Sequence, residues 1–359
     1  MFIDHQNSNF DTSSDWASRS ELWISEAAKF GKKPKRRERN SEPLILCGHG
    51  ISMRIENGAL VIRDGFTHYP QEQGVYRYFR GSRDIPARIL LLDGSGTLSF
   101  DVLSWLGEQN VSLARIKWTG EVAIALSGNG YASDPTKVAW QRQINADHEK
   151  RLAYVIDLIR RKLFASLEIL TDQIPQTHNC AVAVAYHQKS IERLNQDSFS
   201  EINDVRGIEA QCASLYFRAW KGLPIEWKGR QAVPDDWRSY DIRSSMANGM
   251  KPQNRCASHP LNAMLNYAYA VKQAQIQIEA IANGYDPTIG IMHHGRRGKP
   301  AYIFDLIEPE RPKVDGVILK FIRERSFTAA DFVIRPDGVC RLSPQLARAV
   351  AMAVSQPFG

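Results

Sequence analysis

Residues 51–63 have the sequence ISMRIENGALVIR, in which apolar and polar residues alternate on both sides of Asn57-Gly58. Alternation with a period of two places the apolar side chains on one face of a β-strand. Asn and Gly both accept a positive φ, so this pair predicts a tight turn between two strands. The stretch therefore predicts a β-hairpin and a β-rich N-terminal part.

Working outward from the hairpin, further short strands are predicted at Val75–Phe79, Ala87–Leu92, Ser112–Trp118 and Ala123–Leu126. Ser99 is placed to cap a short helix between two of these strands. In that helix Phe100, Leu103 and Leu106 recur at helical spacing, and we expect them to face inward. Residues 42–132 are therefore predicted to form a small β-rich domain with one helix.

The pattern changes after Asp134-Pro135, where apolar residues recur at helical spacing. The helical patterns cover 136–170, 181–195, 205–221, 261–283, 306–323 and 344–355. The last begins at Ser343-Pro344, an N-cap followed by proline at the first helical position. Just before it, Asp337-Gly338 separates two short strand candidates. Residues 135–359 are thus predicted to form a larger, mainly α-helical domain, so the fold class is α+β with more than one domain.

Residues 1–41 differ in composition from the rest of the chain. They are rich in Ser, Asn and charged residues, and they end in a basic cluster at 31–39. Such a cluster can contact phosphates, and a solvated arm is the alternative that the sequence leaves open. We expect a basic, flexible N-terminal extension.

Composition limits the classes of protein to which the chain can belong. Of its 359 residues, 43% are hydrophobic and 24% are charged, as in globular proteins, and the net charge of +7 is compatible with a polyanionic partner. The five cysteines form no C-x-x-C pair, which argues against a zinc knuckle or a disulfide scaffold. No apolar run reaches the ~20 residues that span a bilayer, and no signal peptide is recognisable. We expect a cytoplasmic protein without membrane contact.

Three stretches carry candidate chemistry: RGIEA at 206–210, GIMHH at 290–294 and DLIEPERP at 305–312. Asp305 and Glu308 are three residues apart, so a helix would place both carboxylates on one face. A divalent cation relieves the repulsion between such carboxylates. With a histidine nearby, the donors suit Mg²⁺ or Mn²⁺. Spacing alone leaves a surface glutamate and a structural histidine as open alternatives.

The sequences of these three stretches also resemble the motifs of a known protein family. Together with HPLNAMLNYAY at 259–269, they resemble the signatures of the CRISPR-associated spacer integrase family, whose members insert fragments of foreign DNA into a repeat array. The stretches PLILCGHGISMRIENGALVIRDG at 43–65 and LLLDGSGTLSFDVLSWLGEQNVSL at 90–113 are similar to the β-rich domain of that family. The resemblance covers roughly residues 43–345 and leaves the first 41 outside it.

The resemblance implies a metal site in the helical domain, which would be the catalytic domain. Glu209, His293 and Glu308 would be the ligands of Mg²⁺ or Mn²⁺, and Asp305 a supporting carboxylate. His294 is the alternative ligand, but the GIMH wording favours His293. The chain departs from the family at two positions: Ala210 stands where Gly is usual, and Glu310 stands where Phe is usual, which puts an aromatic contact in doubt.

The resemblance also implies an activity and its partners. The expected reaction is metal-dependent cleavage and joining of double-stranded DNA, in which a 3′-hydroxyl attacks a phosphodiester. Basic side chains near the site would hold phosphates, and Tyr216 would orient a leaving group; solvated loop charges and a tyrosine at the edge of the core are the alternatives. The basic candidates are Arg296, Arg297, Lys299 and Arg311.

A homodimer formed through the β-rich domain and a small companion subunit of the CRISPR adaptation machinery are the expected protein partners. Two other functions stay open on the sequence. One is an integrase of the same kind that serves a transposon, and the other is a DNA-binding scaffold without catalysis.

Overall fold

The structure is a computed structural model that describes residues 12–30, 40, 42–66, 73–117, 121–126, 133–196, 199–229, 232–243, 257–293 and 299–356. The strands are β1 (Pro43–Glu56), β2 (Ala59–Arg63), β3 (Val75–Tyr78), β4 (Arg88–Leu98), β5 (Ser112–Ile116), β6 (Val122–Leu126), β7 (Phe332–Ile334) and β8 (Cys340–Leu342). The helices are α1 (Thr12–Lys29), α2 (Phe100–Glu108), α3 (Pro135–Ala146), α4 (His148–Asp172), α5 (His178–Gln196), α6 (Ile202–Ala219), α7 (Pro260–Ala282), α8 (Ala301–Ile307), α9 (Arg311–Arg323) and α10 (Pro344–Ser355). The predicted order, a β-rich part followed by a larger helical part, is confirmed.

The first six strands form one sheet in the order β3-β2-β1-β4-β5-β6. The predicted hairpin joins β1 to β2, which pair antiparallel from Glu56 opposite Ala59. At its turn Asn57 has φ 50° and Gly58 has φ 76°, the positive values that this turn requires. Strands β1 and β4 run parallel, and so do β4 and β5, which α2 connects.

The two faces of the sheet pack against different partners. One face packs against α2 through residues such as Leu46, Ile62 and Trp105. The other face, which includes Ile45 and Cys47, belongs to the same hydrophobic core as α7 and α10. The alternation of side chains along β1 therefore joins the β-rich part to the helical part.

The predicted inward face of α2 is confirmed for Leu106 and wrong for Phe100 and Leu103. Phe100 is 87% exposed and Leu103 is 39% exposed, whereas Val102, Trp105 and Leu106 are buried. The residues at 102, 105 and 106 also follow helical spacing, and the bulk of the Trp105 ring selects this stripe for the core.

Two of the predicted helices are divided in the structure. The pattern at 136–170 forms α3 and α4, because Asp147 takes an extended conformation and its side chain accepts a hydrogen bond from the Lys150 N–H. The pattern at 306–323 forms α8, one 3₁₀ turn at Glu308–Glu310, and α9. Proline at position 309 cannot donate the backbone hydrogen bond of a continuous helix.

The expectation of a flexible extension is wrong for residues 12–29, which form α1 and pack against α10 and the segment before β7. Trp23 is 1% exposed and stacks on Phe321 and Phe327 at centroid distances of 5.6 and 5.7 Å. Its Nε1–H donates to Asp331 Oδ1 at 2.6 Å. The basic cluster at 31–39 lies outside the described residues.

Helix α7 runs through the middle of the helical part, and sixteen of its side chains are buried. Helices α4, α5 and α6 pack together beside it around a core that includes Leu158, Val205 and Cys212. The predicted hairpin before α10 is confirmed as β7 and β8, and Ser343 caps α10 by accepting from the Leu346 N–H. Among the described residues, no helix is long and apolar enough to cross a bilayer.

Candidate metal centre

Glu209 lies on α6, at the edge of the face that packs against α4 and α5. Its neighbour Ile208 and the following Cys212 are buried in that core, so the Glu209 side chain emerges at the boundary and keeps 24% of its surface exposed. One carboxylate oxygen contacts the ammonium group of Lys162 on α4. The glutamate predicted from the RGIEA stretch therefore faces another helix.

Glu308 begins the 3₁₀ turn that follows α8, and it is 8% exposed. Its Oε2 accepts from Lys162 Nζ at 2.6 Å, and its Oε1 accepts from Arg311 Nε at 3.0 Å. Burial by itself raises the pKa of this carboxyl, but the charges of Lys162 and Arg311 outweigh burial and lower the pKa to about 2. Glu308 is therefore a carboxylate at neutral pH.

His293 is held by Asp305, a residue of α8 with no exposed surface. The Asp305 carboxylate accepts from the backbone N–H of Met292 at 3.1 Å and of His293 at 2.9 Å. The His293 ring donates its Nδ1–H to the same carboxylate at 2.8 Å. Because Nδ1 faces the carboxylate, Nε2 is the ring nitrogen available to bind a metal.

The loop that carries His293 depends on the glycine that begins the GIMH stretch. A Cβ atom on Gly290 would lie 2.4 Å from the His293 carbonyl oxygen and 2.7 Å from Ala301 Cβ. Both distances are shorter than real carbon contacts, so a larger residue would displace the loop. Gly290 therefore fixes the geometry of the loop that carries His293.

The three predicted ligands Glu209, His293 and Glu308 line one pocket of about 270 Å³. Four cationic side chains share its wall with the two glutamates, and they are Lys162, Arg206, Arg243 and Arg311. The excess of positive charge makes the pocket suitable for a phosphate group, whose oxygens carry negative charge.

The donor set fits a hard divalent cation, since it offers two carboxylates and one imidazole whose second nitrogen is already held by Asp305. Within the described residues, however, no three His, Cys, Asp or Glu side chains converge as a metal-binding group. The ammonium of Lys162 lies between the two glutamates and contacts both carboxylates.

The basic residues predicted to hold DNA have different outcomes. Arg311 lines the pocket, with its guanidinium 4.9 Å from the centre of the Tyr269 ring. Lys299 lies away from the wall; its side chain is 44% exposed, and its Nζ is 3.9 Å from a Glu121 carboxylate oxygen. Arg296 and Arg297 lie outside the described residues, as does the alternative ligand His294.

Tyr216 does not reach the pocket, which corrects its predicted role. It is 3% exposed, and its hydroxyl donates to Asp315 Oδ2 at 3.1 Å. Asp315 also accepts from the Tyr269 hydroxyl, and burial raises the pKa of Asp315 to about 6. Tyr269, which comes from α7, is the tyrosine that lines the pocket.

Our sequence analysis assigned no role to six residues that line the pocket: Lys162, Arg206, Phe217, Arg243, Tyr269 and Met292. A signal existed for Lys162, since it follows Leu158 by four residues and precedes the buried Ser166 by four. A charged residue on the buried stripe of an amphipathic helix requires a partner of opposite charge.

The departure at Glu310 has a structural explanation. Its carboxylate accepts from Lys272 Nζ at 3.1 Å and from Lys313 Nζ at 2.8 Å. Lys272 lies on α7 and is 9% exposed. An ion pair between α7 and the 3₁₀ turn therefore stands where the resemblance led us to expect an aromatic contact.

Comparison with known proteins identifies the family and several relatives. The family described as "CRISPR associated protein Cas1" matches residues 83–356, which is more than half of the chain. The chain is 25% identical over 315 residues to the CRISPR-associated endonuclease Cas1 1 of Archaeoglobus fulgidus, and the match covers 85% of each protein.

Two solved structures share the fold. A casposase bound to its integration product has a TM-score of 0.69 and 23% identity, covering 88% of this chain and 82% of that chain. A Cas6-RT-Cas1–Cas2 complex has a TM-score of 0.66 and 15% identity, covering 90% of this chain and 33% of that chain. The extent of the family match decides the assignment: the chain belongs to the Cas1 family of CRISPR-associated proteins.

Proposed function

We propose that this protein is a Mg²⁺- or Mn²⁺-dependent DNA integrase and endonuclease that inserts DNA fragments into a CRISPR repeat array. The observation that carries the proposal is that Glu209, His293 and Glu308 line one pocket together with an excess of cationic side chains. The name of the Archaeoglobus relative, an endonuclease, supports the same class of reaction.

In this proposal Glu209, Glu308 and His293 Nε2 hold the metal, and Asp305 positions His293. A bound divalent cation supplies charge stabilisation at the phosphodiester and lowers the pKa of a hydroxyl nucleophile. Arg206, Arg243 and Arg311 orient the phosphate by charge-assisted hydrogen bonds. A DNA 3′-hydroxyl as nucleophile gives strand transfer, and water gives hydrolysis.

We further propose that the protein works on double-stranded DNA as a homodimer with a small companion subunit. A Cas1–Cas2 complex is among the solved structures that share the fold, which supports the companion subunit. Because phosphate contacts carry no base information, sequence preference would come from bent DNA or from that partner.

The experiment is integration of a short DNA duplex into a supercoiled plasmid that carries a CRISPR repeat, in Mn²⁺ buffer. Glu209→Gln and His293→Ala should each lower integration by roughly 10²-fold or more, because each removes a metal ligand. Glu192→Gln changes an exposed glutamate on α5 outside the pocket and should retain activity. Undiminished integration by both ligand variants would falsify the site.

A transposon integrase is the second candidate, because the casposase shares the fold with a TM-score of 0.69. An enzyme of that kind would require terminal inverted repeats on the inserted DNA. Comparing donor duplexes with and without such ends separates the two functions. A non-catalytic scaffold would instead bind DNA in a salt-sensitive manner and show no dependence on metal.

A further inference from the structure

Lys162 is a charged residue on the buried stripe of α4. Its side chain is 12% exposed, and its ammonium contacts the carboxylates of Glu209 and Glu308 at the same time. These glutamates come from α6 and from the 3₁₀ turn after α8, so one lysine joins three separate elements. The contact lies inside the pocket that the two glutamates line.

The lysine ammonium contacts one oxygen of each glutamate, which is the arrangement of an ion pair shared between two carboxylates. Without a cation between them, two carboxylates this close to one ammonium would repel each other. The ammonium therefore fills the electrostatic role that a divalent cation would fill.

We propose that Lys162 is a positioning residue that acts as an internal counter-cation: it holds Glu209 and Glu308 together in the metal-free protein and competes with the divalent cation for their oxygens. This inference rests on the proposed function. Mg²⁺ binds oxygen at about 2.0–2.1 Å. A metal and an ammonium cannot both lie between the same two oxygens, so metal binding requires the lysine to move aside.

Two consequences follow for the protein's behaviour. The side chain should weaken metal binding, because the ion pairs must break before the metal takes the carboxylates. It should also stabilise the metal-free protein, because without it two neighbouring carboxylates are left in a largely buried place. A lysine with a purely structural role would stabilise the metal-free protein without weakening metal binding.

The test measures Mn²⁺ binding to the full-length protein by calorimetry. Lys162→Met keeps a long side chain and removes the charge, and it should tighten Mn²⁺ binding by about tenfold or more. In EDTA the same variant should have a lower Tm than the wild type, and added Mn²⁺ should raise its Tm by more. Lys162→Arg keeps the charge and should return Mn²⁺ affinity towards the wild-type value.

Lys150→Met is the matched control. Lys150 lies on the same helix and forms an ion pair with Asp147, but its side chain is 67% exposed. Its loss should leave Mn²⁺ affinity and the Tm in EDTA nearly unchanged, because exposed ion pairs contribute little.

A second arm tests the ion pair without metal. In EDTA, the Lys162→Met/Glu209→Gln double variant should have a higher Tm than Lys162→Met, since the second change removes the repulsion. A double variant no more stable than the single one would overturn the counter-cation role. Lys162→Gln replaces Lys162→Met in both arms if the methionine variant does not fold.

The inference and the proposed function can fail separately. If Lys162→Met binds Mn²⁺ no more tightly than the wild type, the competition is refuted, while integration that depends on Glu209 and His293 still supports the proposed function. If Glu209→Gln binds Mn²⁺ as tightly as the wild type, the metal site itself is refuted, and the inference that Lys162 competes for it falls with it.

Discussion

The side chain of Asp305 is fully buried. Within the described residues, no ammonium or guanidinium group contacts its carboxylate. Backbone N–H groups of the GIMH loop and the Nδ1–H of His293 solvate its carboxylate instead. The residue therefore acts on the site through the histidine, whose ring it orients. We assign it the role of a positioning residue and not of a direct metal ligand.

We predict that Asp305→Asn lowers Mn²⁺ affinity by roughly 10–100-fold, because residues that orient a metal-binding histidine have effects of this size. Calorimetry measures the affinity, and circular dichroism checks that the fold is retained. Asp157→Asn, on the partly exposed surface of α4, is the control. Wild-type affinity in the Asp305 variant would show that His293 is oriented by other contacts.

At the scale of elements, α1 was not expected from the sequence, although Trp23 and Ala27 on this helix are buried. Arg19 adds to the contacts of Trp23, since its Nη2 donates to Asp331 Oδ2 at 2.6 Å. The family match begins at residue 83, so this helix lies outside it. It supports α10 and does not contribute to the lining of the pocket.

We predict that Trp23→Ala lowers the free energy of unfolding by about 3–5 kcal/mol, the usual cost of removing a buried aromatic side chain. Urea denaturation measures it. Leu22→Ala, at a position that is 37% exposed on the same helix, should cost much less. Integration well below the Tm should persist in both. If both variants lowered the free energy of unfolding by the same small amount, α1 would not be firmly docked.

Some elements follow from local sequence and others do not. The turn at Asn57-Gly58 and the cap at Ser343 depend on neighbouring residues, so both were predictable. The complete inward face of α2 was not predictable, because two stripes of apolar residues compete on that helix. The division of α3 from α4 at Asp147 was missed because an acidic residue in a helical pattern is usually a solvated position.

At the scale of the whole molecule, a buried ion pair joins the sheet to the last helix. Asp64 follows β2, is 4% exposed, and accepts from the Cys47 N–H at 3.0 Å. Arg348 on α10 contacts the same carboxylate. Together with the core that β1 shares with α7 and α10, this contact couples the two parts of the chain.

We predict that Arg348→Met destabilises the protein by about 3–5 kcal/mol, because it leaves the Asp64 charge buried and unpaired. The Asp64→Asn/Arg348→Met double variant should recover part of this loss. Lys221→Met, which breaks an exposed pair with Asp241, is the control and should have little effect. Urea unfolding should remain one transition; two separate transitions would show that the parts fold independently.

The sequence alone determined that a β-rich part precedes a larger helical part, and its motifs selected Glu209, His293 and Glu308 as candidate ligands. Those features depend on local periodicity and on short stretches of chain. Only the tertiary structure placed Lys162 between the two glutamates and chose Tyr269 over Tyr216 for the pocket wall. The physical reason is that contacts between residues far apart in the chain depend on how whole helices pack, which local patterns do not specify.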